Sequence, residues 1–581
     1  MISVRGTHPL GRGGVAAVAA ATMFVGMSQG SAAASRARTH LDPAVTTESS
    51  TIDRELAARL ATLAPHATVA VFAQLRTRAD LSEVRDRDRR DRAEHVQSLL
   101  RGHAETRQRG TRELLARLSA SGRASHVRAW WISDGMSFTG TADAVRAVAG
   151  RADIASVRLD EAAITPAMVP AREPTLAAAN VAAIGAPTLW SRGITGAGVV
   201  VADLDTGVDG TQPDLAGSWR GGTGGWFDPY GQHATPTDVN GHGTWTTSVM
   251  VGRDGSGHSV GVAPDARWIA ARVFDDSGRA TLSGVHAALQ WALNPSGDPA
   301  APDPPQVLNA SWSSATTACS TEFEPDLAAL RAAGIVSVFA AGNSGPALNS
   351  GTSPATLPEA LAVGSVDSSD TVDVSSSRGP SACGGRSHFP DLVAPGVDIP
   401  VDDLYGGSRT ASGTSIAAPQ VAGALALLLS AHPGLTADQQ QAAVTGGAVD
   451  LGAPGVDDTY GAGRLDVVAA EARLSAVAPP GPVTSAVRVT PNPVGATAVP
   501  AVTATLNAAP GGTAPVSASA RIDGGAAAAL SVTLAATDGR SDDHHGDRVG
   551  HRSRHRRPQP LGVAGQRPRC RPRDGDDRDP S

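Results

Sequence analysis

The sequence contains no lysine and only three cysteines, and few of its residues are aromatic. All 49 basic residues are arginines, and the formal net charge of −7 argues against a nucleic-acid partner held by bulk positive charge. Three cysteines in 581 residues do not make a disulfide framework. No apolar run reaches the roughly 20 residues of a typical transmembrane helix. With 41% hydrophobic residues, the chain instead has the composition of a globular protein of several domains.

The first 34 residues predict a secretory signal peptide. Arg5 and Arg12 precede a small apolar run at residues 13–26, and small residues at 31–34 offer a cleavage site. A short membrane anchor is the alternative interpretation of this run. Export predicts a secreted, extracellular protein, in a compartment where disulfides persist. Because Cys319 and Cys383 both lie in loop-like segments, we expect a disulfide between them.

Two regions with different patterns follow the predicted signal. Residues 35–172 alternate strand, helix, strand, helix and strand, which predicts a small α+β domain. Prolines and the loss of periodicity predict a linker at 165–190. Residues 173–475 contain continuous apolar runs, which are typical of strands buried on both faces of a parallel sheet. Helical segments such as 282–293 lie between these runs, so we expect an α/β domain with a doubly wound, mainly parallel sheet.

The carboxyl-terminal region changes character twice. Residues 476–537 begin with prolines and continue with alternating Thr, Val and Ala, which predicts a linker and part of an immunoglobulin-like β-sandwich module. Residues 538–581 have few apolar side chains and cannot form a core, so we expect disorder there. A genuine polar tail is one interpretation. We favour a shift of reading frame near Asp538, since the Arg, Asp, His and Pro that follow show no pattern.

Four short motifs stand where predicted strands end or predicted helices begin. They are Asp205-Thr-Gly, Asn240-Gly-His242-Gly, Gly342-Asn343-Ser and Ser412-Gly-Thr-Ser415. The carboxyl ends of parallel strands are where α/β folds place their functional sites, and the start of a helix presents free N–H groups. Each motif alone has a structural explanation, such as an Asp or Asn turn, a surface histidine or a serine that caps a helix.

Together, Asp205, His242 and Ser415 predict nucleophilic catalysis. A serine hydroxyl becomes a useful nucleophile when a neutral imidazole takes its proton, and that imidazole needs a carboxylate to fix its tautomer. The carboxamide of Asn343 would donate a hydrogen bond to a developing oxyanion. The α/β-hydrolase fold is excluded, because it requires Gly-x-Ser-x-Gly and the order Ser, Asp, His, whereas Ala417 stands after Ser415 here and the order is Asp, His, Ser.

In these motifs and their order, residues 189–467 resemble the subtilisin-like serine proteases, the subtilases. The Ser-Trp pair at 311–312 is similar to the bacillopeptidase F branch of that family. The resemblance implies an exported serine endopeptidase made as a zymogen, with residues 35–172 as a prodomain that assists folding and inhibits until it is removed. It implies a triad of Asp205, His242 and Ser415, with Asn343 in the oxyanion hole. It also implies a substrate cleft lined by Ser311, Trp312 and Ser313.

Departures from the family pattern limit what the resemblance implies. Ser313 stands where relatives usually have glycine, which puts the shape of the primary specificity pocket in doubt. Asp214 matches a residue that often binds calcium, but the loop 253–259 lacks the usual Asn partner, so a structural calcium is left open. We expect no cofactor in catalysis, protein or peptide substrates, the prodomain as a partner, and neither nucleic acid nor a membrane span. A binding protein on an inactive subtilase fold is the alternative function.

Overall fold

The structure, a computed structural model, describes residues 51–84, 89–167, 169–172, 179–253, 261–299 and 302–476, together with four short strands beyond residue 482. The predicted signal peptide and the predicted disordered tail lie outside the described residues. The two predictions therefore stay predictions.

Residues 51–159 form an α+β domain. Its elements are α1 (Arg54–Thr62), β1 (Thr68–Leu75), α2 (Arg89–Arg107), α3 (Arg109–Ala120), β2 (Ala124–Trp130), β3 (Gly135–Thr141), α4 (Ala142–Ala149) and β4 (Ile154–Leu159). The four strands form an antiparallel sheet in the order β2-β3-β1-β4. The sequence pattern missed β3, because its two glycines are weak strand formers. A Cβ at Gly135 would lie 2.4 Å from Cζ of Phe72, so glycine is required for this close packing.

The following residues, to 476, contain the larger domain. Its elements are β5 (Ile164–Pro166), β6 (Val169–Arg172), α5 (Ala179–Ala183), α6 (Ala186–Trp190), β7 (Val200–Asp205), α7 (Pro213–Ala216), β8 (Trp226–Phe227), α8 (His242–Val251), β9 (Arg267–Arg272), α9 (Leu282–Leu293), β10 (Val307–Ala310), β11 (Trp312–Ser314), α10 (Glu324–Ala332), β12 (Val336–Ala340), β13 (Ala360–Val366), β14 (Leu392–Pro395), β15 (Ile399–Asp402), β16 (Ser408–Ser412), α11 (Thr414–Ala431), α12 (Ala437–Gly446) and α13 (Val467–Ala476).

Seven parallel strands form the central sheet, in the order β14-β13-β12-β10-β7-β9-β8. One apolar cluster packs α11 and α12 on one face, and a second packs α9 and α10 on the other. Both faces of the strands are therefore buried, which explains their continuous apolar sequences. The predicted α/β class with a mainly parallel sheet is confirmed.

Helix α11 is apolar on every side because it lies inside the domain. Among the described residues it is the one helix long and apolar enough to cross a membrane, but 89% of it is buried within the protein. A Cβ at Gly423 would lie 2.7 Å from Cβ of Val262, so the absence of a side chain lets the helix approach the neighbouring loop. A buried core helix of this kind is weak grounds for a membrane span.

The interpretation of residues 165–190 as a linker is wrong in part. Strands β5 and β6 and helices α5 and α6 lie in or across this stretch. β5 pairs antiparallel with β11, and β6 pairs antiparallel with β16. The partners lie far along the chain, so the stretch has no local periodicity that could reveal its strands.

A disulfide joins Cys319 to Cys383 and closes a loop of 64 residues. Replacing both cysteines by serine is expected to lower the free energy of unfolding by up to about 4 kcal/mol, because the bridge restricts the unfolded chain. Calorimetry of the variant against the parent measures the loss, with Cys570→Ser as the control that breaks no bridge. Unchanged melting, or three free thiols in the denatured parent without reductant instead of the one of Cys570, would contradict the bridge.

Beyond α13 the structure describes two separate antiparallel pairs of strands. β17 (Val483–Val489) pairs with β18 (Val502–Asn507), and β19 (Ala518–Ala520) pairs with β20 (Ala528–Leu530). Antiparallel pairs agree with a β module in this region, but the residues between them are not described, so the β-sandwich stays a prediction.

Candidate active site

The four motif residues lie at the ends of elements that meet at one edge of the sheet. Asp205 is the last residue of β7, and Asn343 follows β12. His242 is the first residue of α8, and Ser415 lies in the first turn of α11. The carboxyl ends of parallel strands meet at the same edge, which brings separate stretches of the sequence into a single site.

Asp205 and His242 form a buried pair. Oδ1 of Asp205 lies 2.7 Å from Nδ1 of His242, and both side chains are almost fully buried. Burial by itself lowers the pKa of His242, but the charge of Asp205 and its hydrogen bond outweigh burial, so the pKa is raised. The pair thus fixes one ring nitrogen and leaves Nε2 to act on a third group.

Close backbone packing holds His242 in place. A Cβ at Gly243 would lie 2.0 Å from the carbonyl oxygen of Gly207, so only glycine fits after the histidine. Asp238, which the sequence analysis missed, accepts hydrogen bonds from the backbone N–H groups of Gly241 and Thr244, at 2.9 and 3.0 Å. This buried carboxylate fixes the turn that leads into α8.

The hydroxyl of Ser415 points at backbone carbonyls rather than at the histidine. It donates to the carbonyl oxygen of Ala167 and lies 3.1 Å from that of Ser311. Nε2 of His242 is buried and has no hydrogen-bond partner within the described part of the chain. The predicted contact between Ser415 and His242 is therefore not made in this state.

Asn343 also contacts Ala167. Its Nδ2 donates to the carbonyl oxygen of Ala167 at 2.8 Å. Its Oδ1 accepts from the N–H and the hydroxyl of Thr414, at 3.0 and 2.9 Å, which orients the carboxamide. The same carbonyl oxygen thus accepts from Asn343 and from Ser415, where a substrate carbonyl would have to lie for attack by the hydroxyl.

The predicted cleft residues have three different roles. Ser313 pairs with Thr165 between β11 and β5. The hydroxyl of Ser311 donates to the carbonyl oxygen of Ser415 at 2.9 Å and so supports the start of α11. The backbone of Trp312 pairs with Pro166, but its indole is fully buried in the core and donates to a backbone carbonyl at 2.8 Å. The indole of Trp312 therefore lies in the core rather than in a cleft, and a part for its backbone in the cleft stays a prediction.

A second buried carboxyl group lies behind the pair. Asp203, also missed from the sequence, accepts from the hydroxyls of Thr246 and Thr247 and from Nδ2 of Asn309, at 2.9 to 3.0 Å. Burial and the neighbouring carboxylate of Asp205 raise the pKa of Asp203 to about 8. Asp203 is therefore mostly protonated at neutral pH.

Among the described residues, no three His, Cys, Asp or Glu side chains are grouped so as to hold a metal ion. The expected absence of a cofactor and the open question of calcium near Asp214 remain expectations.

Comparison with known proteins places the site in a family. Residues 196–463 match the model of the Subtilase family. Over 295 residues the chain is 35% identical to subtilisin of Bacillus pumilus, covering 50% of this chain and 97% of that protein. It is 35% identical to subtilisin E of Bacillus subtilis, covering 50% of this chain and 70% of the relative. The chain belongs to the subtilase family.

The family match confirms the resemblance inferred from the four motifs and classes the protein with the subtilisin-like serine endopeptidases. Bacillopeptidase F of Bacillus subtilis is 34% identical over 295 residues, which cover 47% of this chain and only 20% of that relative. The matched family region of this subtilase holds Asp205, His242, Asn343 and Ser415. It does not reach the domain at 51–159 or the strands beyond α13.

Proposed function

We propose that the chain is a secreted serine endopeptidase made as a zymogen, which hydrolyses peptide bonds through an acyl-enzyme. Asp205, His242 and Ser415 are its triad, and Asn343 is the side-chain donor of its oxyanion hole. Residues 35–172 are its prodomain together with the linker that follows. No metal takes part in the chemistry, and protein or peptide chains are the substrates.

One observation carries this proposal: a peptide carbonyl already lies between the proposed nucleophile and the proposed oxyanion donor. The oxygen of Ala167 accepts from Nδ2 of Asn343 at 2.8 Å and from the hydroxyl of Ser415. The chain is paired as a strand on both sides of Ala167, through β5 with β11 and β6 with β16. A cleft that holds a polypeptide on both sides of the reacting carbonyl fits an endopeptidase rather than an exopeptidase.

The chemistry follows from these positions. Oγ of Ser415 attacks the carbonyl carbon, and Nε2 of His242 takes the hydroxyl proton. The oxyanion accepts hydrogen bonds from Asn343 and from the backbone N–H of Ser415. His242 then gives its proton to the leaving amine. Water next attacks the acyl-enzyme, and His242 takes a proton from that water and returns it to Oγ of Ser415 as the ester bond breaks. Asp205 keeps Nδ1 protonated and stabilises the imidazolium that forms.

Contacts outside the cleft support the prodomain as an inhibitor. The ring of Phe72, in β1, stacks on the ring of the buried His286, in α9, with centroids 4.5 Å apart. Asp160 caps the start of α9, where it accepts from the N–H and the hydroxyl of Ser283 at 2.8 and 2.7 Å. Since these contacts do not include the cleft strand, they would hold the prodomain in place after a cut and keep the cleft blocked.

A peptide with both ends blocked tests the proposed activity. The processed chain should cut an acetylated and amidated peptide at an internal bond, in buffer containing EDTA as well as without it. The control is the Ser415→Ala chain, freed of its prodomain in the same way. It should be inactive. No cleavage of the blocked peptide would contradict the proposal. It would favour an exopeptidase if a peptide with free ends lost single residues, and the inactive binding protein if that peptide also stayed intact.

Asn343→Ala is expected to lower kcat by about 10² to 10³ with little change in KM, because its donor meets charge that develops mainly in the transition state. Steady-state kinetics on the blocked peptide measure the two constants. Thr414→Val is the matched control. It removes one hydrogen bond that orients the carboxamide but keeps the donor, and should cost less than about tenfold. A loss confined to KM would remove Asn343 from the oxyanion hole.

A further inference from the structure

We propose that the chain cuts itself after Ala167, and that residues 164–167 display the side-chain preference of the mature enzyme: a small residue at the cut bond and a branched aliphatic residue three positions before it. This inference rests on the proposed function, and adds to it the peptide bond that is cut and the class of substrate that is preferred.

The position of Ala167 selects the bond. Its carbonyl oxygen is the one that accepts from both Asn343 and Ser415. Its N–H donates to the carbonyl oxygen of Ser311 at 3.1 Å, which holds the residue in line with strand β5. A residue held by its N–H on one side and its C=O on the other keeps its carbonyl group in one position, here beside the hydroxyl of Ser415. The next residue in the sequence is Met168, so the bond is Ala167–Met168.

The register extends this position along the cleft. Pro166 pairs with Trp312, Thr165 with Ser313 and Ile164 with Ser314. One residue further back, the carbonyl oxygen of Ala163 accepts from the N–H of Ala315 at 2.9 Å. The strand is therefore held over its whole length before the bond, and a slip by one residue would turn every side chain to the opposite face.

Burial along the strand shows at which positions the cleft discriminates between side chains. Ile164 and Ala167 are 8% and 6% exposed, whereas Thr165 is exposed and Pro166 half-buried. Ile164 joins the apolar cluster that contains Trp312. Buried positions discriminate between side chains because a charge or a large group there loses solvation or lacks room, whereas an exposed position tolerates both.

The step balances as hydrolysis. The bond between the carbonyl carbon of Ala167 and the nitrogen of Met168 breaks, and an ester to Oγ of Ser415 forms. The proton of the hydroxyl passes through His242 to the leaving nitrogen, which becomes the amino terminus of the mature enzyme. Water then releases Ala167 as a carboxylate, the carboxyl terminus of the prodomain.

Processing in a protease-deficient host tests the bond. Intact mass and amino-terminal sequencing of the secreted protein should place the new terminus at Met168. Ile164→Asp and Ala167→Asp should slow the appearance of that terminus about tenfold or more. Thr165→Asp is the matched control on the exposed position of the same strand and should be processed at the parent rate. A mature terminus at another bond, or equal slowing by all three variants, would overturn the assignment.

Peptide substrates test the preference without relying on the folding of prodomain variants. The mature parent enzyme is given blocked chromogenic peptides ending in Ile-Thr-Pro-Ala, Ile-Thr-Pro-Phe or Asp-Thr-Pro-Ala before the leaving group. We expect kcat/KM to fall about tenfold or more for the second and the third. Equal or faster cleavage of the Phe peptide would overturn the preference. An enzyme inactive on all three and on the blocked test peptide would contradict the proposed function itself.

Discussion

Ser415→Ala is expected to lower kcat/KM on a blocked peptide by about 10⁶, because the acyl-enzyme cannot form without the hydroxyl. The same variant should be secreted uncut, since the nucleophile that would attack the carbonyl of Ala167 is missing. Kinetics and the mass of the secreted chain measure the two effects separately.

Two comparisons make this result specific. Ser430→Ala removes a hydroxyl at the far end of α11, which donates to a carbonyl of its own helix at 2.7 Å, and should leave activity and processing unchanged. Adding a small amount of active enzyme to the alanine variant should cut it in trans. A Ser415→Ala chain that still appears in shortened form from a protease-deficient host would show that another protease does the cutting.

Asp205→Asn is expected to lower kcat by about 10⁴ at neutral pH, because an amide donates rather than accepts at Nδ1 of His242 and favours the wrong tautomer. The pH profile should also change. His242 must be neutral to take the proton, so activity falls as the pH drops through its pKa. Asp205 raises that pKa against the effect of burial, so its loss should move the acidic limb of kcat/KM to lower pH.

Asp203→Asn is the matched control for this change. Asp203 lies two residues earlier on the same strand and is mostly protonated at neutral pH, since its pKa is raised to about 8. Replacing a neutral carboxyl by an amide should therefore cost far less than the same change at Asp205. An acidic limb that stays in place in Asp205→Asn, or equal losses in the two variants, would contradict the assigned roles.

The candidate site residues could be predicted because the hydrophobic pattern of the sequence changes at their positions. Asp205 ends an apolar strand and Ser415 begins an apolar helix, and in a parallel sheet such ends meet at one edge. Asp203 carried a usable signal, since a carboxylate inside an apolar strand must have buried partners. Its spacing of two from Asp205 also places both side chains on one face.

The cleft strand could not be predicted in the same way. Ile164-Thr-Pro-Ala is too short to show a period, and Pro166 favours a linker. Its hydrogen-bond partner is β11, which lies far along the chain, so only the folded protein brings Thr165 opposite Ser313. The position of Ala167 against Asn343 and Ser415 is a property of that tertiary pairing.

Covalent labelling tests the central claim, that Ser415 is the nucleophile of a working triad. The processed enzyme is treated with a fluorophosphonate, digested and mapped by mass spectrometry. We expect one label per chain, on Ser415, with activity lost in proportion to labelling and no label on the Asp205→Asn variant at the same exposure. Full activity in a fully labelled enzyme, or an unlabelled Ser415 in an inactivated one, would contradict the account.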